Sequence, residues 1–378
     1  MQTIERSLGK YITQAIKPGK AVLLFGARRV GKTVLMKHLI HQFKGKVLLL
    51  NGEDYDTQQL LDTQSIANYK GLLSGIDLLA IDEAQNIPNI GTKLKLIVDE
   101  IEHVCIIATG SSSFDLINKT GEPLVGRAKS YYLTPFSQQE LIEVENRLQT
   151  KQQLPHRLIY GSYPDVVKLE SNEERALYLK DMVNAYLLKD ILSFDGIKNA
   201  SKMNDLLRYI AYQVGQEVSY DEIAKKIGLS KNTVEKYLDL LSKVFIIYRV
   251  GAYAKNLRKE ISKAGKWYFY DNGIRNAIIN NFSPLNMRQD SGALWENYII
   301  SERVKLNHNH LQNKEFYFWR TYDQQEIDLI ETQNEQICAF EIKNNTKTPQ
   351  CPKVFTQSYP NATYQVINND NYLEFISQ

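Results

Sequence analysis

The first third of the chain contains short, nearly continuous apolar runs, and the mixed polar and apolar stretches between them have helical periodicity. Five runs follow one another: AVLLF (21–25), KVLLLN (46–51), DLLAID (77–82), VCIIATG (104–110) and SYYLTPF (130–136). Runs of this kind are typical of strands buried on both faces of a parallel sheet, and the stretches between them suit crossover helices. Residues 1–136 are therefore predicted to form an α/β domain on a parallel sheet.

The pattern changes along the rest of the chain. Residues 137–198 are helical in periodicity, and residues 199–265 give three short helical segments followed by a strand, FIIYRV. Over residues 266–378 strands return, as WYFY, EFYFW, EIDLI, CAFEIK and TYQVI. We therefore predict four segments: an α/β core, a helical segment, a small helical domain with a strand, and a second, smaller α/β domain.

Composition narrows the class of protein without identifying it. The chain has 378 residues, enough for several domains, and its formal net charge of +3 is too near neutral to indicate nucleic-acid binding by itself. The three cysteines are scattered, which fits a reducing cytoplasm and gives neither a disulfide framework nor a zinc pattern. Because no apolar run approaches the ~18 residues that span a bilayer, and the first residues lack a signal-peptide pattern, we expect a cytoplasmic protein without a membrane partner.

A phosphate-binding pattern follows the first apolar run. GARRVGKT at 26–33 matches G-x-x-x-x-G-K-[ST], with a predicted strand before it and a predicted helix after it. Glycines let the main chain curl so that its N–H groups face phosphate oxygens, while Lys32 would reach the β- and γ-phosphates and Thr33 would bind Mg²⁺. A chance glycine-rich turn rarely has all of these features together. The predicted nucleotide-binding residues are Gly26, Ala27, Arg28, Arg29, Val30, Gly31, Lys32, Thr33 and Val34.

A second element, LLAIDEAQ at 78–85, is an apolar strand that ends in two carboxylates. Asp82 at the strand end can hold the Mg²⁺ shell, and Glu83 beside it can polarise an attacking water as a general base. An acidic pair at a helix N-terminus is the alternative. A base placed for water attack favours hydrolysis over transfer of phosphate to another acceptor.

A third element, VCIIATGSSSFDL at 104–116, is a strand that runs into a cluster of hydroxyl side chains. A hydroxyl at the end of this strand could contact the γ-phosphate or orient the water. Ser111 is the first candidate and Thr109 the second. A helix cap is an equally good explanation for a serine here, because serine is a preferred N-cap residue.

Together the three elements resemble the Walker A, Walker B and sensor-1 elements of AAA+ ATPases. GEPLVGRAKSYYLTPFSQQEL (121–141) and GSYPDVV (161–167) are further similar to a family of bacterial and archaeal ATPases, in which a winged helix and an uncharacterised C-terminal domain follow the core. The resemblance covers nearly the whole chain. It implies a five-stranded sheet in residues 1–136, a helical lid at 137–198, and ATP with Mg²⁺ as the nucleotide.

The same resemblance makes Arg127 a candidate arginine finger. An arginine at the γ-phosphate of a neighbouring subunit would stabilise charge in the transition state, and such a role would require a homo-oligomer. Pairing of Arg127 with a local carboxylate is the alternative.

Residues 199–265 contain a helix-turn-helix pattern followed by a strand, which predicts a winged helix. Gly228 falls at the turn and Ser230 can cap the second helix, whose early residues would face DNA: Lys231, Asn232, Thr233 and Lys236. The stretch 251–267 adds a basic strip of the kind that phosphate contacts need: Lys255, Arg258, Lys259, Lys263 and Lys266. Use of the module as a spacer or for protein docking is the alternative.

The C-terminal segment, 266–378, carries a set of residues that resembles the core of PD-(D/E)xK nucleases. In AFEIK the strand period of two places Glu341 and Lys343 on one face, Asp328 lies in the preceding strand, and Glu296 lies near the start of a predicted helix. The carboxylates would hold Mg²⁺ and the lysine would orient water for phosphodiester hydrolysis. An inactive fold that only binds, or a cross-strand ion-pair ladder, is the alternative.

Two classes of function remain open at this point. In the first, the protein acts on double-stranded DNA, and ATP drives loading or cleavage. In the second, the ATP state controls binding to a protein partner, and the nuclease-like fold is inactive. The resemblance favours ATP over GTP as the predicted nucleotide. The chain also has no N-K-x-D motif that would recognise guanine.

Overall fold

The computed structural model describes residues 4–111, 124–184, 199–254 and 265–378. These residues form two compact units. The first unit comprises residues 5–134 with 243–245, and the second comprises residue 4, 135–242 and 246–378.

The first unit is built on a sheet in which all paired strands run parallel. Its five strands are β1 (Ala21–Phe25), β2 (Val47–Asn51), β3 (Leu78–Asp82), β4 (Cys105–Gly110) and β5 (Ala128–Tyr132), in the spatial order β2-β3-β4-β1-β5. β1 and β4 are buried along their whole length, as the continuous apolar runs require. The predicted parallel α/β fold of this region is confirmed, with one strand from each of the five runs.

Helices connect these strands. The described helices of the first unit are α1 (Gly9–Ala15), α2 (Lys32–Gln42), α3 (Tyr55–Leu60), α4 (Ile66–Leu72) and α5 (Ile90–Glu100). Local sequence sets where they start: the side chains of Asp54 and Ser65 accept N–H bonds at the first turns of α3 and α4. Because β3, β4 and β1 are neighbours and parallel, the residues that follow them meet at one edge of the sheet, where α/β proteins bind their ligands.

The second unit begins with helices. These are α6 (Gln138–Leu141), α7 (Arg147–Tyr160), α8 (Pro164–Lys168), α9 (Asn172–Met182) and α10 (Ala200–Tyr212). α6 and α7 both start at capping boxes, Ser137 with Glu140 and Asn146 with Gln149. The region predicted as a lid is therefore helical where it is described, and its role as a lid stays a prediction.

A helix-turn-helix follows, made of α11 (Tyr220–Ile227) and α12 (Lys231–Lys243). Gly228 ends α11 with a φ of 69°, a left-handed conformation that glycine adopts without strain. Ser230 Oγ then accepts the N–H of Thr233 at 3.1 Å and starts α12. The turn and cap lie where the sequence places them, while the assignment of this region as a winged helix stays a prediction.

The second unit also contains a mixed sheet of six strands. The strands are β6 (Ile247–Ala252), β7 (Lys266–Phe269), β8 (Glu315–Arg320), β9 (Glu326–Gln333), β10 (Gln336–Ile342) and β11 (Thr363–Ile367), in the order β11-β10-β9-β8-β6-β7. β6 pairs antiparallel with β7 and parallel with β8. The predicted domain boundary at residue 265 therefore falls inside a hydrogen-bonded hairpin that extends the C-terminal sheet.

Four more helices are described in this unit: α13 (Asn272–Ile278), α14 (Ser291–His310), α15 (Lys353–Ser358) and α16 (Tyr372–Ser377). α14 is buried on most sides, including its polar residues Asn297 and Glu302. A core of Trp319, Ile327 and Phe355 packs between the sheet and α15. Within the part of the chain described, no helix is long and apolar enough to cross a bilayer.

Candidate functional site

The phosphate-binding loop lies between β1 and α2 and needs both of its glycines. Gly26 and Gly31 have φ values of 154° and 96°, and a Cβ on Gly26 would lie 2.1 Å from the main-chain oxygen of Leu133. Lys32 Nζ donates to the main-chain oxygens of Gly26 and Ala27, both at 3.0 Å, and the side chain is 4% exposed. The ammonium group is thus held in the curl of the loop.

Asp82 and Thr33 meet at the edge of the sheet. Thr33 Oγ1 donates to Asp82 Oδ2 at 2.8 Å, and the buried Thr109 donates to Asp82 Oδ1 at 2.5 Å. Oxygen atoms 2.8 Å apart suit adjacent positions around an octahedral Mg²⁺, whose ligands lie at about 2.1 Å. The residues present therefore fit Mg²⁺ bound with a nucleotide.

Glu83 follows Asp82 in a left-handed conformation with a φ of 48°, unusual for a residue with a side chain. Its N–H donates to Thr109 Oγ1 at 3.0 Å, so Thr109 contacts both acidic residues. Gly52 passes so close that a Cβ there would lie 2.3 Å from the main-chain oxygen of Glu83. The main chain around Glu83 is thereby fixed from two sides.

Ser111, the first hydroxyl candidate, is linked to Glu83 through the side chain of Gln85. Gln85 Nε2 donates to Glu83 Oε2 at 2.6 Å and to Ser111 Oγ at 3.2 Å. Thr109, the second candidate, makes the direct contacts with the acidic pair. The other hydroxyls of the GSSS stretch lie outside the described residues.

A second group of polar side chains lies on the sheet of the second unit. Lys343 Nζ is 2.5 Å from Glu341 Oε1 and 3.8 Å from Asp328 Oδ2, and the N–H of Ile342 donates to Asp328 Oδ2 at 2.7 Å. The register of β9 and β10 pairs Phe340 with Leu329, which places Glu341 beside Asp328. Three of the four predicted nuclease-like residues thus contact one another.

Glu296, the fourth, joins the group through a lysine. Glu296 Oε1 accepts from Tyr268 at 2.6 Å and lies 3.7 Å from Lys266 Nζ, which also pairs with Glu326. Burial raises the pKa of Glu296 to about 7; Lys266 opposes the shift and the charge of Asp328 adds to it. Burial therefore favours the protonated form of Glu296 relative to an exposed glutamate.

The arrangement is a carboxylate–ammonium cluster, formed by Lys266, Glu296, Asp328, Glu341 and Lys343. Across the described residues, no three His, Cys, Asp or Glu side chains are grouped so as to hold a metal ion. The predicted role of Glu296, Asp328, Glu341 and Lys343 in a nuclease-like metal site stays a prediction. Lys266, which the sequence includes in the basic strip, is 3% exposed and turns its ammonium inward to carboxylates, so it is not placed to contact a phosphate. The other four residues of the strip lie outside the described ranges.

The comparisons with known proteins bear on these sites. Residues 18–142 match a family profile described as "AAA domain", which includes the phosphate-binding loop, Asp82 and Glu83. The first unit is therefore similar to P-loop domains of the AAA type, and it is called the AAA domain below. Residues 151–285 and 291–377 match two profiles described only as domains of unknown function.

The relatives that match most of this chain are described as uncharacterised proteins. An uncharacterised protein of Mycobacterium tuberculosis is 26% identical over 349 residues, covering 91% of this chain and 74% of the relative. One of Haemophilus influenzae is 24% identical over 364 residues, covering 86% of this chain and 83% of the relative. One of Methanocaldococcus jannaschii is 23% identical, covering 78% and 70%.

Solved structures give distant likenesses. The Thermotoga maritima RuvB Holliday junction branch migration motor is 16% identical, with a TM-score of 0.32 over 65% of this chain and 90% of that one. The Pif1 helicase of Candida albicans is 12% identical, with a TM-score of 0.29 over 48% of each chain. TM-scores of this size do not establish a shared arrangement over those lengths.

Arg127 immediately precedes β5, at the end of the strands opposite to the phosphate-binding loop. Ala21 and Ala128 pair at the start of β1 and β5, whereas the loop follows the other end of β1, about 13 Å away at 3.3 Å per residue. Arg127 Nε lies 2.5 Å from Asp99 Oδ1, so the local pairing considered from sequence is present. This arginine cannot reach a nucleotide bound in its own AAA domain.

The AAA domain also uses residues that sequence reasoning missed. Arg6 donates to the main-chain oxygens of Val30 at 2.7 Å and Thr134 at 2.6 Å, and so ties the phosphate-binding loop to the segment after β5. No motif marks Arg6, since it lies 20 residues before the loop. Gln85 stands within the LLAIDEAQ stretch, and its position two residues after Glu83 was the only signal of its contact with that carboxylate.

Proposed function

We propose that this protein is a Mg²⁺-dependent ATPase, with the AAA domain as the site of ATP binding and hydrolysis. The observation that carries the proposal is the junction of two strand ends with the start of α2, where Thr33, Asp82 and Thr109 are joined by hydrogen bonds and Glu83 follows Asp82 directly. A structural acidic pair would need no such junction with a phosphate-binding loop.

The chain's own residues divide the reaction between them. Main-chain N–H groups of the loop and the start of α2 bind phosphate oxygens, and Lys32 exchanges its loop carbonyls for the β- and γ-phosphates. Thr33 and Asp82 would hold Mg²⁺, which would supply positive charge against the phosphates. Glu83 takes a proton from water as the water oxygen bonds to the γ-phosphorus and the bond to the bridging oxygen breaks, releasing ADP. Phosphate release from ATP by the purified protein tests this, and Glu83→Gln must lose it.

We propose further that Arg127 completes this site in a neighbouring subunit. Its position is compatible with this role, because the register of β1 and β5 places it at the end of the sheet opposite to the phosphate-binding loop of its own chain. The active form would then be a homo-oligomer, in which Arg127 exchanges Asp99 for the γ-phosphate.

Double-stranded DNA is the macromolecule that we propose as the partner. The early residues of α12 support it, since Lys231, Asn232 and Lys236 are exposed at the position of a recognition helix. Lys231 is 2.8 Å from Asp221, so part of this charge is already paired. Lys236 is therefore the better candidate for a phosphate contact.

ATP hydrolysis is expected to rise on adding double-stranded DNA, and the rise is expected to shrink between 50 and 200 mM salt as counterions compete. Lys236→Ala should weaken DNA binding and lower the salt slope by about one. Lys168→Ala, an exposed lysine on α8, is the matched control. A rate indifferent to DNA, together with capture of a protein by Glu83→Gln, would favour the alternative of a partner-binding switch.

The C-terminal cluster supports a domain that binds without cutting. Both lysines of the cluster lie against its carboxylates, so the acidic side chains already have cationic partners. Plasmid incubated with wild type or Lys343→Ala, in Mg²⁺ or Mn²⁺ and with or without ATP, is expected to stay intact in every lane. Nicking by wild type but not by Lys343→Ala would instead make the protein an ATP-gated nuclease.

A further inference from the structure

Gln85 is the described side chain that donates a hydrogen bond to the carboxylate of Glu83. It lies in a short 3₁₀ turn, Ala84–Asn86, directly after Glu83. Its Nε2 donates to Glu83 Oε2 at 2.6 Å, a short distance typical of hydrogen bonds to charged acceptors, and to Ser111 Oγ at 3.2 Å. The amide thus connects the residue after β3 with the residue after β4.

Chemistry fixes which way this amide faces. An ionised carboxylate only accepts hydrogen bonds, so the atom of Gln85 that faces Glu83 must be the nitrogen. The oxygen, Oε1, then lies on the other side of the amide. It is buried, and no donor within the described residues reaches it. A buried amide oxygen is seldom left without a donor, so this atom points to a bound donor that the described protein atoms do not supply.

We propose that Gln85 positions Glu83 for hydrolysis, and that its Oε1 accepts a hydrogen bond from the water that Glu83 activates. This rests on the proposed ATPase function. The attacking water has two hydrogens. One passes to Glu83 as the water oxygen attacks the γ-phosphorus, and Gln85 Oε1 accepts a hydrogen bond from the other. Ser111 acts one step further back, by holding the Gln85 amide in place.

The turn also contains a built-in comparison. Asn86 Nδ2 donates to Glu83 as well, at 3.2 Å, but to its main-chain oxygen. Gln85 and Asn86 thus both donate side-chain hydrogen bonds to Glu83. Gln85 donates to the reacting carboxylate, and Asn86 donates to the main-chain oxygen. If Gln85 only supported the turn, removing its amide and removing the Asn86 amide should have the same effect on hydrolysis.

The experiment measures kcat and KM for ATP, and the affinity for a fluorescent ATP analogue, in wild type, Gln85→Leu, Asn86→Leu and Ser111→Ala. Gln85→Leu keeps side-chain size without hydrogen bonds, and is expected to lower kcat about tenfold or more with KM and affinity within about twofold. Asn86→Leu should leave kcat within about twofold, with at most a lower thermal midpoint. The kcat of Ser111→Ala should lie between those of the other two variants. Combining Ser111→Ala with Gln85→Leu should lower kcat little further than Gln85→Leu alone.

The contradicting outcomes are distinct. Equal losses of kcat in Gln85→Leu and Asn86→Leu would reduce Gln85 to a support of the turn. An unchanged kcat in Gln85→Leu would overturn the inference and leave the ATPase proposal standing. Wild type that binds the analogue but releases no phosphate from ATP would overturn both.

Discussion

Glu83→Gln is expected to stop ATP hydrolysis while leaving ATP bound. The substitution keeps the shape of the side chain and its place after β3, but an amide cannot take the proton of the attacking water. Loss of a general base lowers kcat by about 10²–10⁴-fold. The contacts of Lys32 and Thr33 with phosphate and Mg²⁺ do not involve this carboxylate, so nucleotide affinity should change little.

The measurement is phosphate release under excess ATP, beside binding of a fluorescent ATP analogue. Glu100→Gln, which neutralises an exposed carboxylate at the end of α5, is the control for charge alone and should behave as wild type. A Glu83→Gln variant that hydrolyses ATP at the wild-type rate would remove the assigned base. Loss of binding together with hydrolysis would mean that Glu83 shapes the nucleotide site rather than acts on water.

Lys32→Ala is expected to abolish nucleotide binding itself. The ammonium is buried in the loop, where low dielectric strengthens its attraction for phosphate oxygens, and alanine supplies neither charge nor donor. We expect the affinity for ATP to fall by about 100-fold or more, which corresponds to about 2.7 kcal/mol. Hydrolysis at any practical ATP concentration would be lost with it.

The same substitution leaves the main-chain oxygens of Gly26 and Ala27 without the lysine, so the thermal midpoint must be measured alongside affinity. Lys37→Ala removes an exposed lysine one turn further along α2 and serves as the matched control. A folded Lys32→Ala protein that binds and hydrolyses ATP as wild type does would contradict the assignment of the phosphate-binding loop.

Much of the first unit was predictable because its signals are local. β1, β3 and β4 are buried on both faces, so each is a run of apolar residues that sequence alone marks as a strand. The loop and the two carboxylates follow such runs directly. Since parallel neighbours bring their carboxyl ends to one edge, the meeting of Thr33 with Asp82 could be anticipated from order along the chain.

What could not be predicted depends on contacts between distant segments. The sequence groups Lys266 with its basic neighbours. In the fold, β7 pairs with β6, and Lys266 lies against Glu326, 60 residues away, and against Glu296. Lysine is so seldom buried that a surface position is the natural expectation for it. The join between the helix-turn-helix and the C-terminal sheet is likewise set by pairing of β6 with β8, about 65 residues later.

Thr109 and Ser111 show the same limit at smaller scale. Both stand at the end of β4, and the sequence offered Ser111 first because it opens a hydroxyl cluster. Residues two apart on a strand face the same side, so position along the chain decides which one reaches Asp82: the register of β3 and β4 places Thr109 beside Asp82, and Ser111 lies beyond the end of β4. Ser111 reaches the site only through Gln85, a contact that composition and spacing do not encode.

The central claim is that the AAA domain hydrolyses ATP with Glu83 as the base. Its most direct test is phosphate release from ATP in Mg²⁺ by wild type and Glu83→Gln, each also measured in EDTA. The account predicts steady release by wild type with Mg²⁺, little release in EDTA, and little release by a variant that still binds ATP. Equal release by wild type and variant, or none by a wild type that binds ATP under these conditions, would contradict it.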